Sequence, residues 1–235
     1  MIYQSEERKR KRRRSDYGIT KITERDLLVL RWVGEQYAVS IDHIGEILSR
    51  ESESKEKIKE EFLSPRAVRW VLTRWKKTGL VVCKKLLVEQ PQWVWLTKKG
   101  LKEVGLSYGY QEPSVGKLIH HWHVNAVRLH VENKKGDKAQ WVSERKVNAR
   151  IKKRKGKHVV DAEVLYDNAT IATEVELQRK SKRRLKAILW NLKSEYDAVW
   201  YFAAETCFPA LTAAVQSVDR QRSTFVVYRL ADILP

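Results

Sequence analysis

The sequence predicts an α/β chain (α+β overall), with a mostly helical first half and a helix-flanked mixed sheet in the second. Three observations predict it. Helical apolar stripes run to about residue 77 and then give way to two short β-prone segments. Beyond residue 116, helices and strands follow in the order α-β-β-β-α-β-α-β, which calls for a sheet covered on both faces. Between these regions, 104–115 (VGLSYGYQEPSV) is rich in Gly, Ser and Pro and marks a boundary. The 235 residues, 43% of them apolar, are enough for two modest domains with real cores.

Charge narrows the class of partner. Lys and Arg number 47 against 29 Asp and Glu, a net charge of +18. An excess of that size points to a polyanion, nucleic acid first and an anionic membrane second. No apolar run approaches the ~18–20 residues that span a bilayer, and the basic start is followed by no apolar segment of a signal peptide. Cys83 and Cys207 stand alone, without metal-ligand spacing, so two buried thiols in a reducing compartment are expected.

Residues 1–18 read as a disordered basic arm, with seven consecutive cations from Arg8 to Arg14. Such a run is either a solvated tail or an arm that lies along DNA phosphates. A first helix spans 22–37, with Thr23 as N-cap and Asp26 three residues on. Ser40 caps a second helix that turns Ile41, Ile44 and Leu48 inward, and the charged segment 49–62 follows as a loop or exposed insertion. The third helix is the best signalled, with Ser64 at N-cap and Pro65 at N1. Val68, Val71, Leu72 and Trp75 fall at i, i+3, i+4 and i+7 and form its buried face. Arg66, Arg69, Arg74, Lys76 and Lys77 are left for solvent or phosphate, and Gly79 ends the helix. Strands are expected at 80–89 and 92–97. Three helices followed by a hairpin is the winged-helix plan.

In the second half, 116–132 reads as a helix with His120, His121, His123 and His130. His120 and His123, at i and i+3, are either a metal pair or structural and phosphate-contacting groups. Glu132 is placed to lean toward the acidic strands. WVSERKV (141–147) reads as a strand, and Arg150, Lys152, Lys153, Arg154, Lys155 and Lys157 as a phosphate-facing loop. Next come two strands with carboxylates at unusual positions. Asp161 and Glu163 share a face of the first; after an Asp167-Asn168 turn, Glu174, Glu176 and Gln178 share a face of the second. Carboxylates gathered at a sheet edge suit Mg²⁺, or Mn²⁺, and Lys180 with a basic helix from Ser181 follows directly. Leu185, Ile188, Leu189 and Leu192 are that helix's buried stripe, with Lys182, Arg183, Lys186 and Lys193 on the open face. DAVWYFAA (197–204) reads as a buried central strand.

The segments SPRAVRWVLTRWKKTGLV and WLTKKGL resemble winged helix-turn-helix proteins, in which the third helix enters the major groove; Thr97, Lys98, Lys99 and Gly100 match the close of the wing. The acidic hairpin ahead of a basic helix resembles the restriction-endonuclease-like PD-(D/E)xK superfamily. Asp161 matches the first acid of its pattern, and Glu174 or Glu176 the second. The strand lysine is replaced by Glu176 or Gln178, depending on register, with Lys180 as a relocated candidate. From about residue 20 onward, the order of HHWHVNAVRLH, WVSER and HVVDAEVLYDNATIATEVELQRKSKRR resembles the replication-relaxation proteins of bacterial plasmids and integrative conjugative elements. That resemblance implies a winged helix-turn-helix domain at 19–106, a linker at 107–115 and a nuclease-like domain at 116–235. It implies duplex plasmid or mobile-element DNA as partner, in a role tied to replication or mobilisation, and a cytoplasmic, nucleoid- or plasmid-associated place; the winged-helix likeness adds a possible homodimer.

Two functions follow as expectations. In one, Asp161, Glu174 and Glu176 bind Mg²⁺ for DNA nicking, with Gln178 and Lys180 completing the catalytic set. In the other, the chain is a non-catalytic accessory factor or transcriptional regulator in which the nuclease-like domain only clamps DNA. Both use Arg66, Arg69, Arg74, Lys76, Lys77, Lys98, Lys152, Lys153, Arg154, Lys182 and Arg183 against the DNA.

Overall fold

The computed structural model describes residues 21–51, 63–151, 158–221 and 223–234. The expected basic arm, most of the charged insertion and the cations Lys152, Lys153 and Arg154 lie outside the described residues. What is described is a mixed α/β chain with a three-stranded and a five-stranded sheet.

Helix α1 (Glu24–Glu35) opens with the anticipated capping box, in which Thr23 and Asp26 bond each other's backbone N–H. A two-residue strand, β1 (Val39–Ser40), leads into α2 (Ile41–Arg50), which Ser40 caps. Helix α3 (Pro65–Lys77) buries Val68, Val71, Leu72 and Trp75 as the spacing requires. Burying each such side chain contributes about 1.5–3 kcal/mol. Gly79, at φ +72°, lets the chain reverse after α3, and Leu80 N–H then reaches the Trp75 carbonyl. Strands β2 (Val81–Lys84) and β3 (Trp93–Leu96) pair antiparallel, with β1 on the other side of β3. The first of these is shorter than expected, because the chain leaves the ladder after Lys84. Thr97 then caps a short helix, α4 (Lys98–Glu103). Gly100 is required there: a Cβ would lie 2.1 Å from the Leu80 carbonyl oxygen.

Helix α5 (Leu118–Lys135) begins the second region. It is followed by β4 (Ala139–Ser143), α6 (Glu144–Ile151), β5 (Ala162–Tyr166) and β6 (Ala169–Glu176). The chain ends with α7 (Lys182–Glu195), β7 (Ala198–Ala203), α8 (Phe208–Val218) and β8 (Phe225–Arg229). The strands lie side by side in chain order. The first three are antiparallel, and β6, β7 and β8 are mutually parallel. Asp167 and Asn168 both take positive φ, the geometry of the tightest hairpin turns, which Asn and Asp tolerate.

One expectation fails here. Residues 144–147 are helical, where alternation suggested that the strand continued. Glu, Arg, Lys and Ala favour helix once the ladder stops at Ser143, and the turn sends Val147 into the core under α7 and α8. One sheet face packs on α6, α7 and α8 and the other on α5.

Helix α5 serves both halves. Val124, Val127 and Val131 pack on the large sheet, while Leu129 joins the core of α1–α3 and Leu118 packs with Ala38, Trp93 and Trp95. Polar bonds follow the same line: Asn125 Nδ2 donates to the Ala38 carbonyl at 2.8 Å, and Trp32 Nε1 donates to Glu132 at 3.0 Å. Arg145, at the start of α6, donates to the carbonyls of Gly34, Gln36 and Gly109.

Candidate functional site

Two surfaces collect the residues with chemistry. The first is the outward side of α3. Arg66, Arg69, Trp70, Thr73, Lys76 and Lys77 are exposed, and Trp70 keeps 71% of its surface open. No carboxylate among the described residues pairs with Arg66, Arg69, Lys76 or Lys77. Arg74 does not belong with them. Its guanidinium pairs with Asp26, a fully buried carboxylate that also accepts from Thr23 and, at 3.0 Å, from Trp75 Nε1. Burial pushes the Asp26 pKa up, but the bonds from Thr23 and Trp75 and the charge of Arg74 outweigh it and hold the group below the usual carboxylate range. Arg74 sits at i+8 from Arg66, on the margin facing α1, so it is taken up by the fold. Lys98 is exposed at the first turn of α4.

The second surface is the row of carboxylates where β5 and β6 meet α5 and α7. Asp161 lies in the bend just before β5. Its Oδ2 accepts the backbone N–H of Val175 at 2.8 Å, and its Oδ1 meets His120 Nε2 at 2.8 Å. Glu174 is buried on β6 and meets His158 Nε2 at 2.7 Å. Glu176, also buried, is paired with Lys180 four residues on. Each acid in the row therefore has its own base.

The electrostatics match this pairing. Burial, together with the charge of Asp161, pushes Glu174 up to about 7 against the pull of His158 and Lys180. For His120 and His158 burial acts downward, yet the hydrogen bonds and charges of Asp161 and Glu174 win and raise both imidazoles. Glu144 is raised as well, by burial and by the Asp161 charge.

Several expected site residues fall elsewhere. Glu163 does not work with Asp161: its Oε1 accepts from Arg150 and from the Tyr196 hydroxyl, toward the far end of α7. Gln178 is exposed in a bend beyond the end of β6, so it shares no strand face with Glu174. Glu132 turns the other way, to Arg128, Arg50 and Trp32, because those donors lie on the α1–α2 side of α5. His123 bonds the Ile119 carbonyl of its own helix and His121 stacks on Tyr37, so no His120–His123 pair forms. Lys193, expected on the open face of α7, is paired with Asp219. Lys182 and Arg183 are exposed at the start of α7.

The fit to Mg²⁺ can be judged from the donors themselves. Among the described residues no group of three or more His, Cys, Asp or Glu converges as a metal-holding set. Asp161, Glu174 and Glu176 have the right oxygens, but each is engaged by an internal base. As arranged, the row does not fit the ion.

Sequence reading missed Trp70, Trp190, Glu144 and the roles of His120 and His158. Trp70 had a signal, since it lies off the stripe of Val68, Val71, Leu72 and Trp75. His120 had none, because its partner is 41 residues away. Cys83 is half-buried and Cys207 buried, and both are free. No helix among the described residues is long and apolar enough to cross a membrane. Comparison with known proteins gave no match to a protein-family model, a curated protein or a solved structure.

Proposed function

We propose that this chain is a duplex-DNA-binding protein in which α1–α3 with the β1–β3 sheet act as a winged helix and α3 enters the major groove. The observation that carries the reading is the division of α3: four apolar residues buried on one side, and on the other four cations with no carboxylate partner among the described residues. Cations of that kind neutralise phosphates and release counterions, while an arginine can also address a guanine edge. The five-stranded region then acts as a second clamp through the basic start of α7. Plasmid or mobile-element DNA is the natural target in this reading, on the strength of the resemblance noted above, and a homodimer on a palindromic site is compatible with it.

Binding without cutting is the reading favoured by the carboxylate row, whose acids are matched by bases. A second reading, a nuclease, draws support from Glu174, a buried carboxylate displaced to about 7 beside another acid, as functional sites often show. One experiment addresses both. With a selected duplex site, Arg69→Ala should weaken binding by roughly 5- to 150-fold, the range for removing one side chain from a base edge, and wild-type binding should fall steeply with salt. Supercoiled plasmid incubated with Mg²⁺ or Mn²⁺ should stay intact. Nicking that Asp161→Ala and Glu174→Ala both abolish would replace the clamp with the enzyme. Unchanged affinity in Arg69→Ala would remove α3 as the reading helix.

A further inference from the structure

The outward face of α7 offers a second aromatic-and-basic surface, separate from α3 and from the carboxylate row. From Leu177 to Ser194 the chain contains no carboxylate. Three of its cations are committed inside the molecule, Lys180 to Glu176, Lys193 to Asp219 and Arg179 to the Thr206 carbonyl. Lys182, Arg183, Arg184 and Lys186 remain exposed, with no carboxylate partner among the described residues. Trp190 sits on the same helix with 56% of its surface open. Arg183, Lys186 and Trp190 fall at i, i+3 and i+7, so they lie along one line on the side of α7 away from Leu185, Ile188, Leu189 and Leu192.

We propose that this line binds single-stranded DNA, with Arg183 and Lys186 on successive phosphates and the Trp190 indole stacked on a base. The cations select a polyanion. The indole selects the strand state, because an aromatic face stacks on any unpaired base. In a duplex only base edges are open, and an indole could reach a base face only by unstacking a step at a cost of a few kcal/mol. A second copy of this chain is the weaker occupant. A two-fold contact through this face would bring Arg183 and Lys186 against their own counterparts. The face leads to the carboxylate row, since α7 begins just beyond the Glu176–Lys180 pair.

This inference does not depend on α3 reading duplex DNA, and the test separates the two. The full chain is titrated against a fluorescein-labelled oligothymidylate and, in parallel, against a labelled duplex, each followed by anisotropy. Trp190→Ala should weaken oligothymidylate binding by roughly 5- to 100-fold, as expected for loss of one stacked base, and leave duplex binding unchanged. Trp190→Phe should recover most of the loss. Arg183→Ala with Lys186→Ala should lower the salt dependence of oligothymidylate binding, whereas Arg69→Ala should not affect that ligand. Because Trp190 is exposed, folding is checked by an unchanged circular dichroism spectrum. The proposal is overturned if Trp190→Ala binds oligothymidylate like the wild type, or if it weakens both DNAs equally. It is also overturned if the substitution turns a dimer into a monomer on size exclusion while DNA binding is intact.

Discussion

The outer side of α3 and the carboxylate row of β5 and β6 are both dense in charge, yet they dispose of it in opposite ways. On α3, Arg66, Arg69, Lys76 and Lys77 have no carboxylate partner among the described residues. In the row, Asp161, Glu174 and Glu176 are matched by His120, His158 and Lys180. Charge without an internal partner is available to a ligand. Charge already paired inside must first give up that partner, at a cost that grows with how deeply the pair is buried. Net charge alone does not distinguish these cases, and the difference between them is what separates an open face from a locked one.

Arg74 tests the comparison most severely, because it lies on α3 but behaves like the row. Asp26→Ala removes the buried partner of Arg74 and Trp75, and should destabilise the protein by about 3–5 kcal/mol in chemical denaturation. A loss comparable to that of an ordinary surface substitution would mean that Arg74 belongs with the open cations after all.

The row itself can be probed by pH. Glu174 is held at about 7 in the folded chain against an ordinary value of 4.5, so the folded state holds that proton more tightly than the unfolded one. The stabilisation is complete below pH 4.5 and is lost as pH rises through about 7. His158, also raised, acts in the same direction: it favours the folded state at low pH and loses its effect as pH rises through its folded pKa. Glu174→Gln should therefore flatten the decline, and gain about 1–3 kcal/mol on wild type between pH 5 and pH 8. Parallel stability curves for the two proteins would show that Glu174 is not held in this way.

The smallest effect sharpens the open side of the contrast. Lys76→Ala with Lys77→Ala should leave stability within about 0.5 kcal/mol of wild type. The slope of log affinity against log salt for duplex DNA should drop by about one for each phosphate that is no longer neutralised. An unchanged slope would place both lysines away from the DNA.

How much of this was legible in the sequence depended on how local the cause was. The caps at Thr23, Ser40 and Ser64, the stripe of Val68, Val71, Leu72 and Trp75, and the Asp167-Asn168 hairpin are written within a few residues of where they act. The helix from Glu144 to Ile151 was not legible, because WVSERKV alternates well enough to pass as a strand and only the burial of Val147 under α7 decides otherwise. The carboxylate row was half legible. Asp161, Glu174 and Glu176 stood out, but His120 comes from a distant helix and His158 from a segment without regular structure. Arg74 was misread for the same reason: its partner, Asp26, is 48 residues away.

The shared helix α5 has a thermodynamic consequence. Its Leu118 and Leu129 complete apolar contacts of the first region while Val124, Val127 and Val131 cover the large sheet, and Asn125 and Glu132 tie the regions together by hydrogen bonds. Neither half could melt without exposing the other's inner surface. Heat should thus unfold the chain in one cooperative transition, and a protease cut near Gly109 should leave two fragments that remain together until both denature.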